Sequence, residues 1–250
     1  MKTINNTLVV VSLLCITTLA GTAATPAATD AFKLYTNKNY TAALAQYQSM
    51  ASSTTANDNL YYNIANCYFK LNDVGHAIGY YEKALKLNPN NAEAKINLQF
   101  CNKRLIDKVD TSEPFVITKW ANAVSNALSA TTWAIVIVLN VLLFAIILYR
   151  FLIVERTSYA LIAMVGCTLV LLLSIACANA NYARLTNVSN AIVTTPTLHV
   201  KSGPTDQSTE LFTLHEGCKI IILQQVDTWL NIQVNNGNIG WIKSAEVIVI

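Results

Sequence analysis

The chain contains 250 residues, of which 53% are hydrophobic and only 12% are charged. An ordinary soluble domain carries about twice that charged fraction, so part of this chain is predicted to lie in lipid. The net charge of +3 is small and dispersed, which argues against a nucleic-acid-binding surface. The eight glycines form none of the Gly-rich motifs that cradle phosphate, which excludes the common nucleotide-dependent enzymes.

The cysteines and histidines do not form the patterns of a metal centre or a disulfide framework. The six cysteines include no C-x-x-C pair, and the three histidines lack H-E-x-x-H spacing. The sequence also lacks a G-x-S-x-G motif and a close carboxylate pair. We therefore expect no catalytic residue, no metal and no cofactor, and we predict that the chain is not an enzyme.

Residues 1–24 are predicted to form a secretory signal peptide. Lys2 supplies the positive n-region, Leu8–Leu19 form the apolar core, and small residues before Ala20 or Ala24 offer a cleavage site. A positive N-terminus stays in the cytoplasm, so the segment that follows is expected across the membrane.

Residues 30–108 show helical periodicity with an internal repeat. In Asp58–Asn91, the small residues Ala65 and Ala77 alternate with Tyr68 and Tyr81 over thirty-four positions. Small residues let two helices approach closely, and the tyrosines fill the space around them. This order resembles the tetratricopeptide repeat (TPR), a pair of antiparallel helices.

The same period extends to both sides of that unit. A shift of thirty-four residues towards the N-terminus finds Ala31 and Ala43 at the matching positions, and a shift the other way finds one more helix from Ala92. The prediction is a domain of two repeats and a solvating helix.

The TPR resemblance also implies a partner-binding site, because the first helix of each TPR pair lines a concave groove. Aromatic side chains dominate binding hot spots, so Tyr62 and Phe69 are the expected anchors. A clamp for a peptide carboxylate is not expected, because Glu93, Ile96 and Asn97 stand where cations are needed. Asn66 is also an ordinary consensus residue of the repeat, which leaves local hydrogen bonding as its alternative role. The groove residues implied are Asn59, Tyr62, Asn66, Phe69 and Lys70.

Residues 109–132 are predicted to contain an amphipathic juxtamembrane helix. Val116, Trp120, Val124 and Leu128 recur every four residues and form one apolar stripe. Such a helix either lies in the membrane interface with Trp120 at headgroup depth, or packs against the TPR helices.

Residues 133–153 and 158–178 are predicted to form two transmembrane helices. At about 1.5 Å per residue, each can cross a hydrocarbon core of about 30 Å. The short link Arg150–Ser158 makes them an antiparallel hairpin. With the signal peptide, this places the link in the cytoplasm and the flanking domains in the periplasm of a bacterial inner membrane.

Polar residues in the two spans are expected to pair the helices. Asn140 lies at the same predicted depth as Gly166 and Thr168, so its side chain can reach Thr168 or backbone beside Gly166. Polar residues in spans often serve function, but an Asn without an ionisable companion more commonly joins helices.

Residues 190–250 are rich in short β-branched runs, and Asn236-Gly237 is a typical hairpin turn. Val200-Lys201-Ser202 and Gly240-Trp241-Ile242 resemble pieces of the bacterial SH3 (SH3b) barrel. Trp229 and Trp241 then either belong to the core or form an aromatic binding face. The predicted fold class is a multidomain α + β membrane protein, with TPR hairpins, a transmembrane hairpin and a small all-β SH3-like barrel.

The order of these segments, together with the stretches 200–204 and 211–217, resembles the Bat (Bacteroides aerotolerance) family, in particular its E-like members. The resemblance implies an inner-membrane protein that acts beside von Willebrand factor A-type Bat partners, with a link to oxidative or envelope stress. It defines no molecular activity. The predicted function is a membrane-tethered periplasmic scaffold for protein–protein interaction.

Two other functions remain open. A peptidoglycan-binding sensor or anchor would use Trp229 and Trp241 of the SH3b-like domain. A thiol-based redox protein would use Cys218, which follows Gly217 at a turn and is a candidate for an exposed thiol. A thiol becomes reactive only where its surroundings lower its pKa, and the redox function is the weaker alternative.

Overall fold

The computed structural model describes residues 26–53, 57–105, 107, 116–153, 156–186 and 189–250. The predicted signal peptide, residues 1–24, lies outside the described residues. So does most of the connection between the repeat region and the juxtamembrane helix.

Five helices lie within residues 26–105, the first part of the chain that the structure describes, and each packs against the next. Side-chain oxygens of Asn57, Asp73 and Asn91 accept backbone N–H groups at the starts of the third, fourth and fifth helices, which fixes where each begins. The five helices are α1 (Pro26–Thr36), α2 (Tyr40–Ser53), α3 (Asp58–Lys70), α4 (Val74–Leu87) and α5 (Ala92–Asn102).

The small and large residues of the repeat have the roles that their spacing predicts. Ala65 and Ala77 are fully buried between α3 and α4, and Tyr81 is fully buried beside them. The Tyr81 hydroxyl donates a hydrogen bond of 2.5 Å to Asn66 Oδ1, so its polar end is satisfied inside the helix pair.

Two long apolar helices follow, α7 (Ala130–Ile153) and α8 (Ser158–Thr186), and they pack along each other. Each is long and apolar enough to cross a membrane. Most of their apolar side chains are exposed, as expected of surfaces that lipid covers. The helix α8 continues past the predicted end at residue 178, because hydrogen bonds from Asn181 and Arg184 hold its last turns against the preceding helix.

That preceding helix is α6 (Val116–Asn126), the predicted juxtamembrane helix. The carbonyl oxygen of Ser125 accepts hydrogen bonds from Trp133 Nε1 at 3.0 Å and from Asn181 Nδ2 at 2.6 Å. Trp120, on the apolar stripe, is 71% exposed. The two alternatives for the stripe, the membrane interface and packing against the TPR helices, both stay predictions.

Seven strands form one antiparallel sheet with the order β3-β2-β6-β5-β4-β1-β7. The predicted turn at Asn236-Gly237 is confirmed, because Gly237 has φ +88° and joins paired strands β5 and β6. The sheet is open at β3 and β7, and the SH3-like barrel stays a prediction. The strands are β1 (Asn190–Val193), β2 (Thr197–Lys201), β3 (Glu210–His215), β4 (Lys219–Val226), β5 (Trp229–Val234), β6 (Ile239–Lys243) and β7 (Val247–Val249).

Strand β3 was missed by the sequence prediction. Only Leu214 of its six residues is buried, so burial does not alternate along this strand. In β5, by contrast, Leu230, Ile232 and Val234 are buried in turn.

Candidate functional site

The first helices of the repeats, α1, α3 and α5, carry the predicted groove. Asn59 and Lys70 are exposed on α3, whereas Tyr62, Asn66 and Phe69 are half-buried. The structure therefore leaves the two ends of the predicted site open and partly covers its centre.

Asn66 serves the fold. Its Oδ1 accepts the bond from Tyr81 and a second one, of 3.1 Å, from Asn97 Nδ2. The ring of Tyr62 lies 6.0 Å from that of Tyr81, which ties it to the same cluster. Local hydrogen bonding, the alternative role for Asn66, is thus the one that the geometry supports.

Large apolar side chains on the neighbouring helices remain uncovered. Phe32 on α1 is 58% exposed, and Ile96 and Phe100 on α5 are 52% and 55% exposed. Phe32, Asn66 and Phe100 are separated by thirty-four residues each, so they occupy one repeat position on three successive first helices. We call Phe32, Phe69, Ile96 and Phe100 the groove apolar set.

Sequence reasoning missed Phe32 and Phe100. The signal that finds them is the repeat period itself, carried from α3 to both neighbouring helices. Ile96 entered the prediction only as a position that lacks a cation.

Cations cluster where the first helices end. Arg104 lies over the ring of Phe69 at 5.6 Å, and Lys103 lies over that of Phe100 at the same distance. Lys70 occupies the position of Arg104 one repeat earlier. Cations are favoured at helix C-termini, and here they give the apolar surface a positive end. The surface suits a segment that combines apolar and acidic side chains.

The opposite side of the repeat is covered by the sheet. Helix α4 packs on β1 and β7, with Gly75 and Gly79 at the contact. A Cβ atom on Gly75 would lie 2.9 Å from the carbonyl oxygen of Val193, and one on Gly79 would overlap Ile248. Only glycine allows this approach of helix and strand.

Polar bonds reinforce this helix–sheet junction. Gly75 N–H donates to Glu216 Oε2 at 3.3 Å. His215 N–H donates to Asp107 Oδ2 at 2.8 Å, which ties the sheet to the residues after α5. The TPR region and the sheet are therefore in direct contact, in addition to being linked through the apolar helices α7 and α8.

Gly217 completes the junction. Its φ of +82° lies in the left-handed region, and a Cβ atom there would lie 2.8 Å from Ile78 Cδ1 and overlap Leu105. The residue after it, Cys218, is only 6% exposed, so the expectation of an exposed thiol is wrong. Burial, with a smaller contribution from Asp107, raises the pKa of Cys218 to about 11, which keeps the thiol protonated near neutral pH.

The two tryptophans lie on one face of the sheet. Trp229 pairs with Lys243, and Trp241 pairs with Asn231, on the face opposite the buried core residues of β5 and β6. Lys243 Nζ lies 5.5 Å from the Trp229 ring and 2.7 Å from Asp206 Oδ1. Both rings are half-buried, and this placement favours an outer aromatic face over a core position.

The predicted hydrogen bond between the membrane helices does not form within the described residues. Thr168 Oγ1 donates to Met164 O of its own helix at 2.9 Å, and Asn140 Oδ1 is buried without a hydrogen-bond partner. No atom lies within 4 Å of a Cβ placed on Gly166. A role for Asn140, Gly166 and Thr168 in helix pairing stays a prediction.

The tetratricopeptide repeat family matches residues 59–91, which span α3 and α4. The predicted repeat over Asp58–Asn91 is thereby confirmed. No curated protein matches this chain. In the part of the chain that the structure describes, no group of three His, Cys, Asp or Glu side chains is placed to hold a metal ion. The chain combines a TPR, typical of protein–protein interaction, with two apolar helices and an antiparallel sheet.

Proposed function

We propose that this chain is a non-enzymatic scaffold that binds a segment of another protein in its TPR groove while two helices tether it to a membrane. The observation that carries the proposal is the contrast between the two sides of the repeat. The second helix, α4, is covered by the sheet, whereas three members of the groove apolar set, Phe32, Ile96 and Phe100, are exposed. Lys103 and Arg104 lie beside this surface.

Tethering supports a role in capture. A partner anchored in the same membrane, or confined beside it, meets the groove at a high effective concentration, so weak contacts suffice. The sequence pattern of signal peptide and hairpin supports a periplasmic position for both aqueous regions. The Bat resemblance supports a von Willebrand factor A-type partner and a role in envelope or oxidative stress.

Site-specific photo-crosslinking in the native membrane tests the groove. The full chain carries p-benzoylphenylalanine in place of Phe100, and a matched chain carries it in place of Leu223, an exposed residue of β4. We expect an adduct with a discrete protein from position 100 and none from position 223.

Phe32→Ala, on the far first helix, should reduce the adduct at position 100 because a bound segment spans both helices. Equal adducts at the two positions, or an adduct unaffected by Phe32→Ala, would contradict capture in the groove. Identification of the adduct as a von Willebrand factor A-domain protein would support the Bat-type assembly, and a different protein would contradict it.

A second candidate function is peptidoglycan binding on the sheet. It is favoured by the placement of Trp229 and Trp241 on one face, with Lys201 Nζ 5.9 Å from the Trp229 ring. Trp241→Ala in the full chain should abolish sedimentation with purified peptidoglycan, while Phe100→Ala should leave it unchanged. If the unaltered chain does not sediment with peptidoglycan, this function is excluded.

A further inference from the structure

Helix α6 is apolar along one side and polar along the other. At about 100° per residue, Ile117, Trp120 and Val124 fall within an arc of about 60° around the helix axis. We call these three residues the α6 apolar face. The opposite side of the helix carries polar residues, namely Thr118, Asn122 and Asn126.

The rest of the protein holds α6 at its C-terminal end, through the polar side. Asn126 Oδ1 accepts a hydrogen bond of 2.7 Å from Arg184 Nη1 of α8. The backbone oxygen of Asn126 accepts a second one, of 2.8 Å, from Nδ2 of Asn90, which follows α4. These bonds join α6 to the repeat region and to α8, and neither of them uses the α6 apolar face.

The α6 apolar face is exposed along its whole length. Ile117 is 83% exposed, Trp120 is 71% exposed and Val124 is 40% exposed. Single exposed apolar residues are common, but a group of large ones on one side of a helix marks a surface that binds another protein or a membrane.

The end of α6 lies where α7 and α8 leave the hydrocarbon core, if these two helices cross the membrane. The backbone oxygen of Ser125 accepts a bond from Trp133, the first residue of the predicted span in α7. It accepts another from Asn181, which lies three residues past the end of the apolar run of α8 at Ala178. At about 1.5 Å per residue, this is about 4.5 Å beyond the run. Val124 precedes Ser125, so the α6 apolar face begins at this boundary.

We propose that α6 binds the surface of the bilayer that α7 and α8 cross, with the α6 apolar face between the headgroups and the first part of the acyl chains. Tryptophan favours this depth, and α6 contains no acidic residue that anionic lipids would repel. Lipid binding by α6 holds the repeat region beside the bilayer, through the bond from Asn90. The proposal rests on the membrane tether of the proposed function and is independent of partner capture in the groove.

Photo-crosslinking to lipid tests this orientation in the full chain, reconstituted in vesicles of phosphatidylethanolamine and phosphatidylglycerol. Separate chains carry p-benzoylphenylalanine in place of Trp120, in place of Asn122 on the polar side, and in place of Leu142, an exposed apolar residue of α7. Mass spectrometry of the purified chains measures the adducts on acyl chains. We expect such adducts from positions 120 and 142, and at least about fivefold fewer from position 122.

Two substitutions test whether the α6 apolar face causes the binding. With the probe in place of Ile117, Trp120→Asp should reduce the lipid adduct about fivefold, because it places a charge among acyl chains. Asn122→Asp adds the same charge on the polar side and should change the adduct less than about twofold.

Three results would overturn lipid binding by α6. They are protein adducts in place of lipid adducts at position 120, equal lipid adducts from positions 120 and 122, and equal effects of the two substitutions. Position 142 separates this failure from that of the tether. Lipid adducts from position 142 without any from position 120 would exclude only the binding by α6, whereas their absence at both positions would overturn the tether and this proposal with it.

Discussion

The two helices of the matched repeat have opposite surfaces, although they share one buried seam. Helix α4 presents Gly75 and Gly79, and strands approach so closely that a methyl group does not fit. The first helices present side chains as large as Phe100, which is 55% exposed. Small residues mark the contact made within this molecule, and large exposed ones mark the surface that we propose binds a partner.

The largest expected effect is on the closed side, at Gly217. Alanine there adds about 1–2 kcal/mol of backbone strain and about 1–3 kcal/mol of overpacking against Ile78 and Leu105. Gly237 also has a left-handed φ, of +88°, but no atom lies within 4 Å of its Cβ position. Gly237→Ala should therefore show the strain alone. Thermal unfolding of the two variants in detergent measures the difference in stability. Equal losses of stability would mean that the side chains around Gly217 rearrange to accept a methyl group without a cost in free energy.

Gly75→Ala should have the next largest effect. Alanine favours the helix by about 1 kcal/mol, but its Cβ meets the backbone of Val193 and Thr194, so we expect a net loss of up to about 2 kcal/mol. Gly166→Ala, at an open position in α8, is the control and should not destabilise the protein. Faster hydrogen exchange in β1 of the Gly75 variant would locate the damage at the junction. Unchanged exchange there would contradict the close contact.

An effect of about 1 kcal/mol is expected at the start of α4, where Asp73 is the N-cap. Burial acts to raise the pKa of Asp73, but hydrogen bonds from the ring and the backbone N–H of His76 outweigh it, so the pKa is lowered. The charged form is therefore favoured by folding. Its stabilisation is complete above the unfolded value of about 3.9 and is lost as the pH falls through the lower folded value.

Two substitutions separate the cap of Asp73 from its charge. Asp73→Ala should lose about 1 kcal/mol at neutral pH, because the cap is removed. Asp73→Asn keeps a side-chain oxygen that can cap the helix. Its free energy of unfolding should therefore decrease less in acid, by the part of the decrease that protonation of the Asp73 carboxylate causes. Unfolding curves from pH 7 to pH 3 measure both, and an Asn variant with the full acid dependence would exclude this residue as its source.

The smallest effect on stability is expected on the open side. Phe100→Ala removes an exposed ring and should change the free energy of unfolding by less than about 0.5 kcal/mol. Partner crosslinking from a probe at Ile96 should nevertheless fall, since the ring is lost from the same surface. A large loss of stability would show that Phe100 is part of the fold instead.

The sequence predicted the structural features that depend on residues close to one another in the chain, such as a helix pair or a turn. The spacing of Ala65, Ala77 and Tyr81 reports a local pairing of helices, and Asn236-Gly237 reports a local turn. The contact of Gly75 with Val193 joins residues more than a hundred positions apart, so no local period encodes it. Two glycines four residues apart in one helix were nevertheless a signal, because each costs the helix about 1 kcal/mol relative to alanine.

The order in which the junction is made follows from its position in the chain. The repeat helices leave the ribosome before the membrane hairpin, whereas their cover, strands β1 and β7, comes after it. Until β7 is synthesised and pairs with β1, the contacts of the glycine side of α4 with these strands are incomplete. A chain arrested after α8 would expose to proteases and chaperones a surface that the sheet covers in the folded molecule.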